Sequence, residues 1–237
     1  MPLCHKASAQ GCRPLAMLVL VIATAACLAI PQTAAGALAP DSPQVQRLIE
    51  KGMSFLAKAN DGRLGGMCLV GLCHFKHTGD ADHPQVVKAV EACQRVCRAK
   101  ADAISVDIYS TGIAIFFLCE VDAQKYSTEI EKLVQSLILR QKEGGGFGYP
   151  SNHSHGATGD TSMTQYAVVG LWSAKQHGIS VPQDVVEKVC NWLVRTQDPS
   201  GAWGYQGKDP NSYERVKQSP IRPSLTAAGL GSTYISA

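Results

Sequence analysis

Aromatic residues make up 6% of this 237-residue chain and charged residues 17%, and no Lys/Arg run occurs beyond its first residues. A net charge of +3 without a basic cluster gives no electrostatic case for a nucleic-acid partner or an acidic lipid surface. Alternating apolar and polar runs bounded by hairpin turns are also missing, which argues against a β-sandwich or barrel. What remains is helix-like segments punctuated by 22 glycines and 12 prolines.

The first 37 residues read as a leader. Lys6 and Arg13 precede the apolar run Leu15 to Ile30, Pro31 closes it, and Ala35-Gly36-Ala37 offers a small-residue cleavage site. The run is shorter than the ~20 residues a bilayer span prefers, so a cleaved signal is expected rather than an N-terminal anchor. The mature protein is then secreted or periplasmic, with membrane contact only through this segment if it is retained. Cys27 in "TAAC" gives only a weak lipid-attachment signal, because Thr24 sits where a larger aliphatic residue is expected. Residues 38–237 suffice for one domain with a proper core. The leader holds Cys4, Cys12 and Cys27; the six later cysteines are Cys68, Cys73, Cys93, Cys97, Cys119 and Cys190. An exported protein can pair such residues. Their places on apolar helical faces favour buried free thiols.

Four segments share one pattern: "IEKGMSFL" (Ile49 to Leu56), "VVKAVEAC" (Val86 to Cys93), "IEKLVQSL" (Ile130 to Leu137) and "VEKVCNWL" (Val186 to Leu193). Apolar residues at the first, fifth and eighth places share one helical face. Lys51, Lys88, Lys132 and Lys188, at the third place, are expected to point to solvent. A helical unit recurring at intervals of 37, 44 and 56 residues signals stacked α-hairpins.

Between these lie helices apolar nearly all round. "DIYSTGIAIFFLCE" (Asp107 to Glu120) and "DTSMTQYAVVGLWSA" (Asp160 to Ala174) place Asp, Thr, Ala and Leu at matching positions. "PSLTAAGLGSTYI" fits through Thr226, and "DGRLGGMCLVGLC" more loosely through Asp61 and Leu72. The opening Asp is a natural N-cap. The apolar helices should form a buried inner ring and the lysine-marked helices an amphipathic outer ring, in four outer–inner pairs. Outer helices end in a repeated corner: Leu137, Gln141, Gly145 and Phe147, then Leu193, Gln197, Gly201 and Trp203. Glycine permits the tight reversal, the glutamine amide can bond backbone groups of neighbouring helices, and the ring can stack over it. The corner is expected to fasten one hairpin to the next.

These corners resemble the QW-type repeats of squalene and terpenoid cyclases, which share an (α/α) toroid with protein prenyltransferase β subunits. The resemblance spans Gln44 to Ile235 and is strongest from Ile130 to Tyr205. It implies an all-α fold, a partial (α/α) toroid with concentric inner and outer helices. Catalytic residues transfer poorly. The Asp-rich DxDD acid of the cyclases is absent, and "GDADHP" offers only Asp80 and Asp82 in a polar link. The prenyltransferase zinc site would need Asp-x-Cys and a later His; here Asp160 is followed by Ser162, and Leu225 stands near the histidine position. Asp160 therefore reads as an N-cap. No Cys-Gly-Glu-Gln thioester sequence of the complement-type toroid occurs.

Two further clusters bear on metal or ligand binding. His74 and His77 stand one turn apart beside Cys73, with Cys68 and His83 nearby, but a helix end fraying into a polar loop is the better reading. His153 and His155 lie in "SNHSHGATGD", a loop that could line a cavity mouth or simply connect. No residue is assigned a catalytic, cofactor-binding or metal-binding role, and no cofactor is expected. The expected function is that of an exported, non-catalytic or degenerate toroid holding an apolar, isoprenoid-like ligand or a protein partner in its centre. The alternative is a terpenoid cyclase or prenyltransferase-type enzyme, or a fragment of one. Toroids of this type close with more hairpins than the four read here, so an apolar edge should be exposed.

Overall fold

The computed structural model describes residues 39–58, 62–149 and 157–236. The leader, Asp61, His153 and His155 lie outside them. The chain divides into two compact units, Met1–Ile49 and Glu50–Ala237. The described part of the first is short; within it the Gln46 side chain donates to the Pro40 carbonyl.

Eight α-helices are present among the described residues: α1 (Pro43–Lys58), α2 (Leu64–Thr78), α3 (Pro84–Val96), α4 (Ile108–Asp122), α5 (Ser127–Leu139), α6 (Thr161–Gln176), α7 (Gln183–Arg195) and α8 (Pro223–Ser236). The fold is all-α and toroid-like, as the repeats predict. Helices α2, α4, α6 and α8 pack side by side in chain order as one layer, and α3, α5 and α7 lie against it. The inner layer is the apolar one: α4 alone buries nine residues, from Ile108 to Cys119.

Close approach within that layer depends on glycine. A Cβ on Gly112 would overlap the Tyr166 carbonyl of α6, and one on Gly170 would sit 2.9 Å from the Gly112 Cα. Both helices are also capped as the sequence predicts. Asp107 Oδ1 accepts from the Ser110 amide, and Asp160 Oδ1 from the Met163 amide, each at 2.9 Å.

Three details differ from the repeat reading. First, α1 buries none of its residues, so three outer helices are packed rather than four. Second, α3 lies on the preceding α2 rather than on α4, because only residues 79–83 link it to α2 whereas residues 97–107 separate it from α4. Third, the buried stripe of α7 is Val185, Val189, Trp192 and Leu193, with Val186 and Cys190 only half-buried. The helix is turned so that the large indole faces inward. Lys51, Lys88 and Lys188 are exposed as expected. Lys132 is instead half-buried and donates to the Cys97 carbonyl at 2.7 Å, sealing the end of α3.

The corners superpose in their bonding. Lys142 donates its amide to the Gly146 carbonyl, and Asp198 donates to Ala202. Gln141 Nε2 and Gln197 Nε2 each donate to the carbonyl four residues on, Gly145 and Gly201, at 2.9 Å. Those glycines have φ of 101° and 88°, the left-handed region that L side chains avoid. Gln141 also donates to the Val185 carbonyl at 3.0 Å, tying its corner to α7. The aromatic amides of Phe147 and Trp203 donate to Thr164 Oγ1 and Thr226 Oγ1, the threonines of the inner-helix frame. The Trp203 ring packs on Gly229 of α8 and donates its indole N–H to the Leu193 carbonyl at 3.0 Å.

The strands β1 (Ala157–Asp160) and β2 (Gln206–Lys208) pair antiparallel, with an irregularity between Ala157 and Asp160. They join the exits of the two corners. Under them lies Trp192, fully buried, where Cβ atoms on Gly146, Gly159 or Gly207 would come within 2.7 Å of its ring. Its Nε1 donates to Thr158 Oγ1 at 2.7 Å.

Candidate binding cavity and tyrosine cluster

At the end where outer helices stop and inner helices begin lies a cavity of about 1210 Å3. Ile104, Val106, Ile108, Leu139 and Met163 supply an apolar wall. The C-terminus of α5 and the first corner supply Arg140 and Lys142; Tyr149 and Thr158 close the side towards β1. The Arg140 guanidinium is held by three neutral oxygens: Ser136 O at 2.9 Å, Val106 O at 2.5 Å and Thr111 Oγ1 at 3.0 Å. Burial lowers its pKa, while the nearby Asp107 carboxylate works the other way. Among the described residues neither Arg140 nor Lys142 makes an ion pair. Arg195, also on the wall, is neutralised by Asp209 at 2.8 Å.

Beside the cavity, at the start of α6, hydroxyls gather on one carboxylate. Ser162 Oγ donates to Asp160 Oδ1 at 2.6 Å and lies 2.6 Å from the Tyr109 hydroxyl. Asp160 Oδ2 is buried with no hydrogen-bond partner among the described residues. Tyr109 meets Tyr166 edge to face, with centroids 5.1 Å apart. Burial pushes the Tyr109 phenol up to about 12, against the relief its bond to Ser162 brings. Tyr205 is pushed further, by burial first and then by the Asp160 carboxylate and the Tyr149 hydroxyl. At neutral pH both phenols are therefore O–H donors and not bases. Tyr149 belongs to both features, lining the cavity and bearing on Tyr109 and Tyr205.

Of the residues weighed from sequence, Asp160 and Ser162 are brought together, as cap and hydroxyl. Leu225 is buried in the first turn of α8. Asp80 Oδ1 accepts from the Asp82 amide in an exposed turn. The histidines separate: His74 is buried and stacked on His83 at 4.3 Å, while His77 and Cys73 are exposed. Cys68 points to Cys93. No group of three or more His, Cys, Asp or Glu side chains that could hold a metal occurs among the described residues. No described helix is long and apolar enough to cross a membrane.

The tyrosines escaped the sequence reading, although their signal lies inside the repeated corner. "FGY" and "WGY" place Tyr149 and Tyr205 two residues after each corner aromatic. Tyr109 sits one turn before Ile113 on α4 and carries no such mark.

No family model matches the sequence, and no curated protein matches it. Among solved structures, a polysaccharide lyase aligns over 83% of this chain and 67% of its own, with a TM-score of 0.51 and 17% sequence identity. At that identity the likeness is one of fold: the chain is similar to an (α/α) toroid.

Proposed function

We propose that the chain is an exported binding toroid, non-catalytic or degenerate beside the terpenoid cyclases and prenyltransferases its corners resemble. Its ligand has an apolar body and an anionic end. The observation that carries this reading is the cavity of about 1210 Å3, apolar at Ile104, Val106, Ile108 and Leu139, where Arg140 and Lys142 make no ion pair among the described residues although the Asp107 and Glu143 carboxylates share the wall. Pockets for small molecules are of this kind, largely apolar with a few placed polar groups. Two fluorescent probes test it: 1-anilinonaphthalene-8-sulfonate and its neutral relative N-phenyl-1-naphthylamine. Lys142→Glu should weaken the sulfonate about tenfold, equivalent to ~1.4 kcal/mol, and leave the neutral probe within about twofold. Equal loss of both probes, or loss of neither, refutes the reading.

A second reading, an enzyme, is favoured by the Asp160–Ser162–Tyr109 hydroxyl chain and by Tyr149 and Tyr205 beside it. It would belong with the terpenoid cyclases or prenyltransferases, or act on a polysaccharide as the fold neighbour's name states for that protein. Turnover of squalene, a prenyl diphosphate or a polysaccharide, lost in Tyr149→Phe, would replace the binding reading.

A further inference from the structure

Cys68 and Cys93 are both fully buried, and their Sγ atoms are 3.5 Å apart across α2 and α3. The repeat makes this meeting informative. In the inner-helix frame, the residue four places before the marker leucine is Ala114 in α4 and Ala167 in α6, but Cys68 in α2. In the outer-helix frame the eighth place is Leu56, Leu137 or Leu193, but Cys93 in α3. Both departures from the small and large apolar residues of the other repeats fall in one pair of packed helices, and they touch. Buried thiols scattered by chance would not be expected to replace a facing pair together.

We propose that Cys68 and Cys93 form a disulfide in the native protein, stapling inner helix α2 to outer helix α3. The oxidant is a low-molecular-weight disulfide of the glutathione type. One cysteine thiolate attacks it and expels one glutathione thiolate. The second thiolate then attacks the protein sulfur of the mixed disulfide and expels the other. Two protein thiols and one glutathione disulfide thus become one protein disulfide and two glutathione thiols, the protons lost by the protein thiols being taken up by the two expelled glutathione thiolates. The bond forms while the chain folds. Once docked, Cys93 is held as a neutral thiol by its contact with Cys68 and by burial, and it reacts slowly. Cys97, one turn on, is directed instead to the Glu129 carbonyl at 3.7 Å.

The full chain is refolded from guanidinium in a glutathione redox buffer, denatured again without reductant, alkylated and digested for mass spectrometry. The expected result is a Cys68–Cys93 linked peptide pair lacking two hydrogens, with Cys73, Cys97, Cys119 and Cys190 alkylated. In parallel, a phosphine reductant should lower the melting temperature of the refolded protein by about 5–10 °C. It should leave the C68A/C93A variant unmoved. Alkylation of both Cys68 and Cys93, or a Cys93–Cys97 link, overturns the proposal. So does a melting temperature indifferent to reductant in the refolded wild type.

Discussion

At the residue scale the corners show why a glutamine is used. Its amide donates twice at Gln141, to Gly145 and Val185, and once at Gln197, to Gly201. Replacing either by leucine keeps the bulk and orphans carbonyls, at ~1 kcal/mol for each lost bond. Gln141→Leu should therefore shift the urea midpoint about twice as far as Gln197→Leu; equal shifts would show that the tie to α7 adds nothing. His74 offers a pH test. Burial, then His83 and His77, lower its pKa below the usual 6.5, so the unfolded chain binds a proton that the fold resists. Stability is retained above about 6.5 and is lost as pH falls below it. Thermal midpoints measured downward from pH 7 should decline, and His74→Phe should flatten that decline. The glutamines were legible because their spacing repeats within the chain. Trp192 was not, because Gly146, Gly159 and Gly207 reach its ring from three separate segments.

At the scale of elements, patterning told inner from outer helices well. Asp107 and Asp160 cap where their spelling says, and α4 and α6 are apolar all round because neighbours cover them on three sides. The rotation of α7 was hidden, since Val185 and Val186 serve equally as the start of an apolar stripe and only the indole's nest decides. Glycine sets how near α4 and α6 come. Gly112→Ala puts a methyl into the Tyr166 carbonyl, backbone against backbone, where no rotamer change relieves it. The loss should exceed the ~1–3 kcal/mol of ordinary overpacking. It should be visible as a collapsed melting transition or failure to accumulate as folded protein. Gly178→Ala, with open space around it but a φ of 83°, should cost only ~1 kcal/mol. If both cost the same, contact between the helices is not what Gly112 secures.

At the scale of the molecule, stability should be uneven, because each helix pair is buried mainly by its neighbours. Hydrogen exchange should be slowest in α4 and α6, which have inner neighbours on both sides, and fastest in α1, which buries no residue. Phe55→Ser, at a site 74% exposed, should alter stability by no more than ~0.5 kcal/mol. Slow exchange in α1 would refute the gradient. Leu230 and Tyr234 of α8 are 62% and 84% exposed. The architecture was readable because it rests on periodicity. The cavity was not, because Ile104, Arg140, Lys142 and Tyr149 come from links between the periodic segments, where no internal repeat marks them.

The nest around Trp192 also makes the protein its own optical gauge. Of its three indoles, Trp203 is bonded to a main-chain carbonyl within the core and Trp172 is partly open to solvent. Trp192 alone is bonded to a side chain, Thr158, whose other face looks into the cavity. In a Trp172→Phe background, an occupant that draws the Thr158 hydroxyl towards itself should alter the emission of an indole it never touches. Filling of the cavity could then be followed without any attached label.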